Sequence, residues 1–241
     1  MTPLTRSKQD YVKALWALGA ADAPVATSRL ARHLAVSPPS VTAMLRRLAG
    51  EGLVTHAPRA GARLTTAGAR AALRMVRRHR LLETFLVDVL GLDWADVHDD
   101  AEVLEHAVSD RVLAALERLM GNPSEDPHGH PIPDARGRVR RRRLWPLAQL
   151  PRGTRATVRE MRDADARRLT RWKELGLVPG ADVRVRDVRA LDDVLELEVA
   201  GRRRVAGRAG VEGVMVERRG AHRARRGSAP SGRGRAHGTR G

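Results

Sequence analysis

Apolar residues recur at helical spacing over residues 7–19, where Tyr11, Val12, Leu15, Trp16 and Leu18 share one side and Gly19 can end the helix. SRLARHLA at 28–35 predicts a short second helix, capped by Thr27 or Ser28. VSPPS then breaks the pattern. Its prolines suit the first turn of a third helix, 38–50, closed by Gly50. A longer helix followed by two short ones across a tight turn predicts a helix-turn-helix. The next stretch, GLVTHAPRAGARLT, alternates apolar and polar around Pro58 and Gly61 and predicts a two-stranded wing.

Thr65 or Thr66 can cap a long helix that runs to about residue 90. Asp99 or Asp100 can cap another, which the pattern carries to Met120 before the stop at Gly121–Asn122–Pro123. Residues 123–143 show no periodicity and read as a Pro/Arg-rich linker. From 144 the period changes: VRVRDV, VLELEVAG and GVMVERR predict short strands, with a turn at Pro179–Gly180 and one helix at 164–175. The expected architecture is mainly α with a β-rich C-terminal domain. Its parts are a winged helix-turn-helix (1–65), a helical domain (66–122), the linker, a small β domain (144–218) and a disordered basic tail (219–241).

Composition narrows this picture. The 241 residues are 42% hydrophobic, enough for separate small cores, and only 2% aromatic, so those cores rest on Leu, Val and Ala. No run of eighteen apolar residues exists and the first residues do not resemble a signal peptide, so a cytoplasmic protein without a membrane partner is expected. The absence of cysteine excludes disulfides, CxxC zinc sites and thiolate nucleophiles. The net charge of +17 invites a nucleic-acid reading. However, fourteen arginines in 136–143 and 218–241, stretches with no acidic residue, account for most of it. Charge alone therefore supports phosphate contact only weakly.

The start of the third helix carries Ser37, Pro38, Pro39, Ser40 and Thr42, whose short hydroxyls and rings permit close approach to base edges and thymine methyls. Arg29, Arg46, Arg47 and Arg59 are placed to reach phosphates. The competing reading is a trihelical core with a solvated basic face. Glu102, Glu105 and His106 fall at i, i+3 and i+4, within about 100° of helical arc. Two carboxylates and an imidazole on one face can hold a divalent ion, or can be a solvated, salt-bridged surface. His79 and Glu83 repeat the i, i+4 spacing beside Arg77, Arg78 and Arg80, and His98 precedes the Glu102 helix. EVLEH also resembles the H-x-x-E-H zinc-hydrolase motif, but Glu102 replaces its first histidine and removes a usual ligand, which disfavours an enzyme.

Together these pieces resemble the diphtheria toxin repressor family, and in particular its manganese-responsive branch, over about residues 5–218. The stretch MVRRHRLLETFLVDVLGLDWADVHDDAEVLEHAVSDRV and the linker string DPHGHPIP carry the resemblance most specifically. It implies a homodimeric repressor that binds double-stranded operator DNA, with two dimers on one operator as a further arrangement, and an SH3-like C-terminal domain. It also implies a primary metal site of Asp10, Glu102, Glu105 and His106. An ancillary site of His79, Glu83 and His98 would be completed from the C-terminal domain by Asp163 first and Glu160 second, with Asp165 as a helix cap. Iron-responsive members resemble a site with methionine at position 10 and cysteine at position 102. The carboxylates here favour Mn²⁺, with Fe²⁺ as the alternative and other divalent metals as substitutes in vitro. Members with a paired-manganese cluster carry glutamate where this chain has Lys13, so a separate ancillary site is the expected second metal. A winged-helix regulator sensing a non-metal ligand is the rival, and it needs an apolar pocket.

Overall fold

The computed structural model describes residues 4–57, 60–162, 165–189 and 192–219. Helix α1 (Arg6–Ala17) buries Tyr11, Val12, Ala14 and Leu15, the residues its period aligned. Helix α2 (Thr27–His33) begins with Ala26 at its N-cap and no side-chain cap bond, so neither Thr27 nor Ser28 caps it. Helix α3 (Pro38–Gly50) starts on its prolines, and the Ser37 hydroxyl accepts the Ser40 amide at 3.3 Å. Strands β1 (Val54–Ala57) and β2 (Gly61–Leu64) pair antiparallel as the wing. Leu15, Leu30, Val41, Leu45, Leu48 and Leu64 close a core shared by all of these elements.

Helix α4 (Thr66–Asp88) is the spine between domains. Its first half gives Ala71 and Ala72 to the helix-turn-helix core. Its second half gives Leu81, Leu82 and Leu86 to a separate core with Val97, Ala101, Leu113 and Ile132. The single helix expected to run to Met120 is in fact two: α5 (Val97–Ala107) and α6 (Asp110–Leu119). Val108 is extended, and the Ser109 hydroxyl accepts the Val112 amide at 3.3 Å, so a local side-chain cap restarts the helix. Asp99 and Asp100 lie in the first turn of α5, where their charge complements its amino end, rather than at the cap.

The C-terminal domain is a six-stranded sheet in the order β3-β8-β4-β5-β6-β7, antiparallel throughout. The strands are β3 (Trp145–Pro146), β4 (Arg155–Met161), β5 (Asp182–Arg189), β6 (Val194–Val199), β7 (Arg202–Gly207) and β8 (Val214–Arg218). Helix α7 (Ala166–Glu174), capped by Asp165, seats Trp172 in the core. Ala95, from the α4–α5 loop, is buried in this same core, and Lys173 binds Asp93 at 2.8 Å. The fold class is therefore the expected one: mainly α, with a β-rich C-terminal domain. No helix among the described residues is long and apolar enough to cross a membrane. The basic tail from 220 onward lies outside the described residues.

The linker is not a passive connector. Asp126 accepts the amides of His128 and His130, both at 2.9 Å, and the Met161 amide of β4 donates to the His128 carbonyl at 2.9 Å. Gly129 turns at φ +83°, and a Cβ there would lie 1.8 Å from the Arg159 carbonyl oxygen. Gly129→Ala is expected to lower stability by about 1–3 kcal/mol, read as a lower midpoint in denaturant unfolding of the full chain. An unchanged midpoint would mean that this loop does not pack on β4.

Candidate metal centre

Helices α1 and α5 both pack along α4, which brings polar residues far apart in sequence into one buried cluster. Glu105 of α5 is fully buried. His106 Nε2 lies 2.9 Å from Asp10 Oδ1 on α1 and 3.6 Å from Glu105 Oε1. One ligand atom each from Asp10, Glu105 and His106 fits within 4.8 Å. Gln9, which the sequence reading missed, gives its Nε2 to the Leu4 carbonyl and leaves Oε1 2.7 Å from His106 Nδ1. An Nδ1–H donated there leaves the Nε2 lone pair directed at the cluster. Burial pushes the Asp10 carboxyl above its usual range, with Glu102 and Glu105 adding to this against His106 and Arg6.

Glu102 is placed differently from its expected partners. Its Oε1 lies 2.6 Å from Lys13 Nζ and 3.8 Å from His79 Nδ1. It forms a second candidate group with His79 and Glu105. Lys13 Nζ sits in that group, also 2.8 and 2.7 Å from the two Glu105 oxygens and 3.2 Å from His79 Nδ1. Burial alone would raise the Glu102 carboxyl, but the Lys13 ammonium holds it below its usual range.

A third group lies on the other side of His79. His79 Nε2 is 2.9 Å from Glu83 Oε1 and 3.1 Å from His98 Nδ1, while His98 Nδ1 is 3.3 Å from Glu83. The structure thus gathers the three expected ancillary residues of the helical domain. Asp163 falls outside the described residues, as does Arg59 of the wing. Glu160 is buried on the wall of the adjoining cavity of about 830 Å³, but its Oε2 accepts two bonds from Arg162, at 3.0 and 2.9 Å. The same cavity shows a side chain that sequence reasoning did not assign: His128 Nδ1 is 3.7 Å from Glu83 Oε2. Asp126, His128 and His130 form a fourth candidate group. Three potential ligands within five residues of DPHGH were the available signal.

Three descriptions of known domains match successive parts of the chain. They are the iron dependent repressor N-terminal DNA binding domain over 3–62, the iron dependent repressor metal binding and dimerisation domain over 65–134, and the FeoA domain over 145–218. The iron-dependent repressor IdeR of Mycobacterium leprae is 33% identical over 199 residues, 77% of this chain and 86% of that protein. The chain belongs to the diphtheria toxin repressor family. It is a metal-dependent transcriptional repressor rather than an enzyme, with a DNA-binding domain and a dimerisation domain. Among solved structures, a manganese-dependent transcriptional repressor in complex with manganese is similar at TM-score 0.80 and 39% identity, covering 87% of this chain and 98% of that one. The manganese regulator SloR is similar at TM-score 0.70 and 29% identity, covering 91% and 100%.

In this repressor the expected base-reading residues sit at the amino end of α3. Ser37, Pro38, Pro39 and Ser40 are exposed, Thr42 is half-buried with its hydroxyl on the Pro38 carbonyl at 3.0 Å, and Arg29, Arg46 and Arg47 are exposed around them. At the candidate cluster, burial pulls the His79 imidazole down, but Glu83 and Glu105 outweigh it and raise the pKa to about 9. His79 is therefore an imidazolium at neutral pH when no metal is bound. Its folded pKa exceeds the ordinary 6.5, so the stability it contributes is fully present below about pH 6.5 and is lost as pH rises through about 9. In chelator the wild type is expected to melt higher at pH 6.5 than at pH 9.5, by an amount of order a few kcal/mol, and His79→Gln to flatten that difference. Identical slopes in the two proteins would rule out the buried imidazolium.

Proposed function

We propose that this repressor is manganese-responsive, with Mn²⁺ as the co-repressor that stabilises the operator-binding form and serves manganese homeostasis in the cytoplasm. The observation that carries this reading is the donor set of Asp10, Glu105 and His106: two carboxylates and an imidazole, without sulfur, joining the first helix of the DNA-binding domain to the helical domain. Hard oxygen donors with one imidazole suit Mn²⁺ and disfavour softer ions. Fe²⁺ is the second reading, favoured by the iron-dependent repressor of Mycobacterium leprae.

A divalent ion bound there would supply the positive charge that these donors lack. The chain's own part is geometric. Asp10 moves with α1 and hence with α3, whereas Glu105 and His106 move with α5. Donors held on both sides fix one domain against the other. Exposed Val103, Val112 and Leu119 on α5 and α6 offer an apolar face for a second protomer. In such a dimer the inter-domain angle sets the spacing of the two α3 helices, which must match whole turns of DNA. Ser37, Pro38, Pro39, Ser40 and Thr42 would meet base edges, and Arg29, Arg46, Arg47 and Arg59 phosphates. Two dimers on one operator fit the same scheme.

Glu102 would complete the primary site by turning from Lys13. His79, Glu83 and His98, with His128 in reach of Glu83, would form the ancillary one. Asp163 stands ahead of Glu160 as the C-terminal ligand because Arg162 already engages Glu160. The domain limits proposed above, 1–65, 66–122, 123–143 and 144–218, are those of the units that move in this scheme.

Operator binding titrated anaerobically with buffered Mn²⁺, Fe²⁺, Co²⁺ and Zn²⁺ tests the reading. Mn²⁺ is expected to activate the wild type, and Asp10→Ala to lose at least about tenfold in Mn²⁺-dependent affinity while staying a folded dimer. Undiminished Mn²⁺ activation of Asp10→Ala would overturn the site, and activation by Fe²⁺ alone would overturn the choice of metal. Arg46→Ala should weaken binding evenly across operator sequences and reduce the salt slope by about one, as removal of a phosphate contact does.

A further inference from the structure

Lys13 is one of three lysines in a chain with 42 arginines, and its ammonium lies where Glu102, Glu105 and the His79 ring converge. Its Nζ is 2.6 Å from Glu102, 2.7 and 2.8 Å from the two oxygens of Glu105, and 3.2 Å from His79 Nδ1. The lysine side chain is 16% exposed and that of Glu105 is 0% exposed. We propose that the Lys13 ammonium is a resident cation: it holds the position among His79, Glu102 and Glu105 that would otherwise take a divalent ion, and it ties α1 to α5 when no metal is bound.

The chemistry of the position supports this assignment. Glu102 and the fully buried Glu105 bring two carboxylates together at this position, and carboxylates in a buried place stay ionised only beside positive charge. An ammonium is a compact point charge with three donors, and here it meets three carboxylate oxygens, one of Glu102 and both of Glu105. A divalent ion taken up by the same oxygens would lie against a fixed positive charge at low dielectric, so the position is closed to metal while Lys13 stays there. Glu105 is then shared: both its oxygens meet Lys13, Oε2 also meets His79, and Oε1 lies 3.6 Å from His106 on the Asp10 side. The cluster keeps one open cation position at Asp10, Glu105 and His106, apart from the separate group at Glu83.

Lys13 and Asp10 sit on the same helix of the DNA-binding domain, three residues apart. Lys13 therefore adds, without metal, to the α1–α5 connection that Asp10 and Gln9 make directly to His106. The metal-free repressor is expected to be partly pre-arranged, so that metal binding has less ordering left to do. This inference rests on the metal-dependent reading above, and the test separates the two.

The full chain and two variants, Lys13→Gln and Lys13→Arg, are titrated with Mn²⁺ alone, and bound ions per protomer are counted from the free-Mn²⁺ electron paramagnetic resonance signal. Because the chain has no cysteine, spin labels can be placed at Ser7→Cys on α1 and Ala107→Cys on α5, and their distance measured in chelator. Lys13→Gln is expected to bind one more Mn²⁺ per protomer than wild type and to show a broadened α1–α5 distance. Lys13→Arg is expected to keep the wild-type ion count. Equal counts in wild type and Lys13→Gln would overturn the resident cation, and an unchanged distance distribution would overturn the tether. If Lys13→Gln does not fold, Glu102→Gln removes a partner from the opposite side, and the same broadening is expected there. A wild type that binds no Mn²⁺ yet keeps a narrow distance in chelator would instead sink the manganese reading and leave the tether standing.

Discussion

Glu105 is a fully buried carboxylate, and the arrangement of the first two domains follows from what keeps it charged. An isolated carboxylate in such a place would cost several kcal/mol or would take up a proton. Glu105 instead meets Lys13 from α1, His79 from α4 and His106 from its own helix. These partners cannot reach it unless α1, α4 and α5 pack side by side. Apolar burial brings the helices together, but the polar cluster selects which faces meet. Buried polar groups used in this way add specificity more than stability, because removing one partner leaves the others uncompensated.

The length of α4 makes that selection matter for DNA. The helix begins inside the winged-helix core and ends inside the helical core, so a change in how α1 lies on it is carried to α3. Its other face carries Glu83, which with His98 and His128 forms the wall shared with the linker and β4. His79 stands between the two clusters, one ring nitrogen on Glu105 and the other on Glu83. The charge state of either side is therefore felt on the other without any rearrangement of the backbone.

Local features of the fold were legible in the sequence because they depend on local physics. The period of Tyr11, Val12 and Leu15, the prolines opening α3 and the change of period after residue 144 report directly on which atoms can be buried together. The break between α5 and α6 was not, because Ser109 reads as one more polar position until its hydroxyl is seen to cap the following turn. In the candidate site, i, i+4 spacing revealed the pair of His79 with Glu83, whereas Glu102 turns to Lys13 and not to the same site as His106. The pairing of Lys13 with Glu105, 92 residues apart, depends on helix packing that no spacing encodes. The same holds for Gln9 behind His106, and for His128, which local spacing places in a linker and tertiary structure places beside Glu83.

Metal and DNA are coupled in this molecule only to the extent that each prefers the same domain arrangement, and linkage makes the coupling reciprocal. A site whose donors all lay on α5 could bind an ion tightly and still shift nothing, since an ion with equal affinity for both arrangements moves no population. In the proposed scheme Asp10 is what would make the affinity unequal, because it reaches the ion from the DNA-binding domain. Lys13 acts on the other side of that balance. By favouring the same arrangement without metal, it would raise the starting population and shrink the range over which an ion could act. The sensitivity of such a repressor is then a difference between two cations competing for one buried carboxylate, one fixed to the chain and one exchanging with the cell.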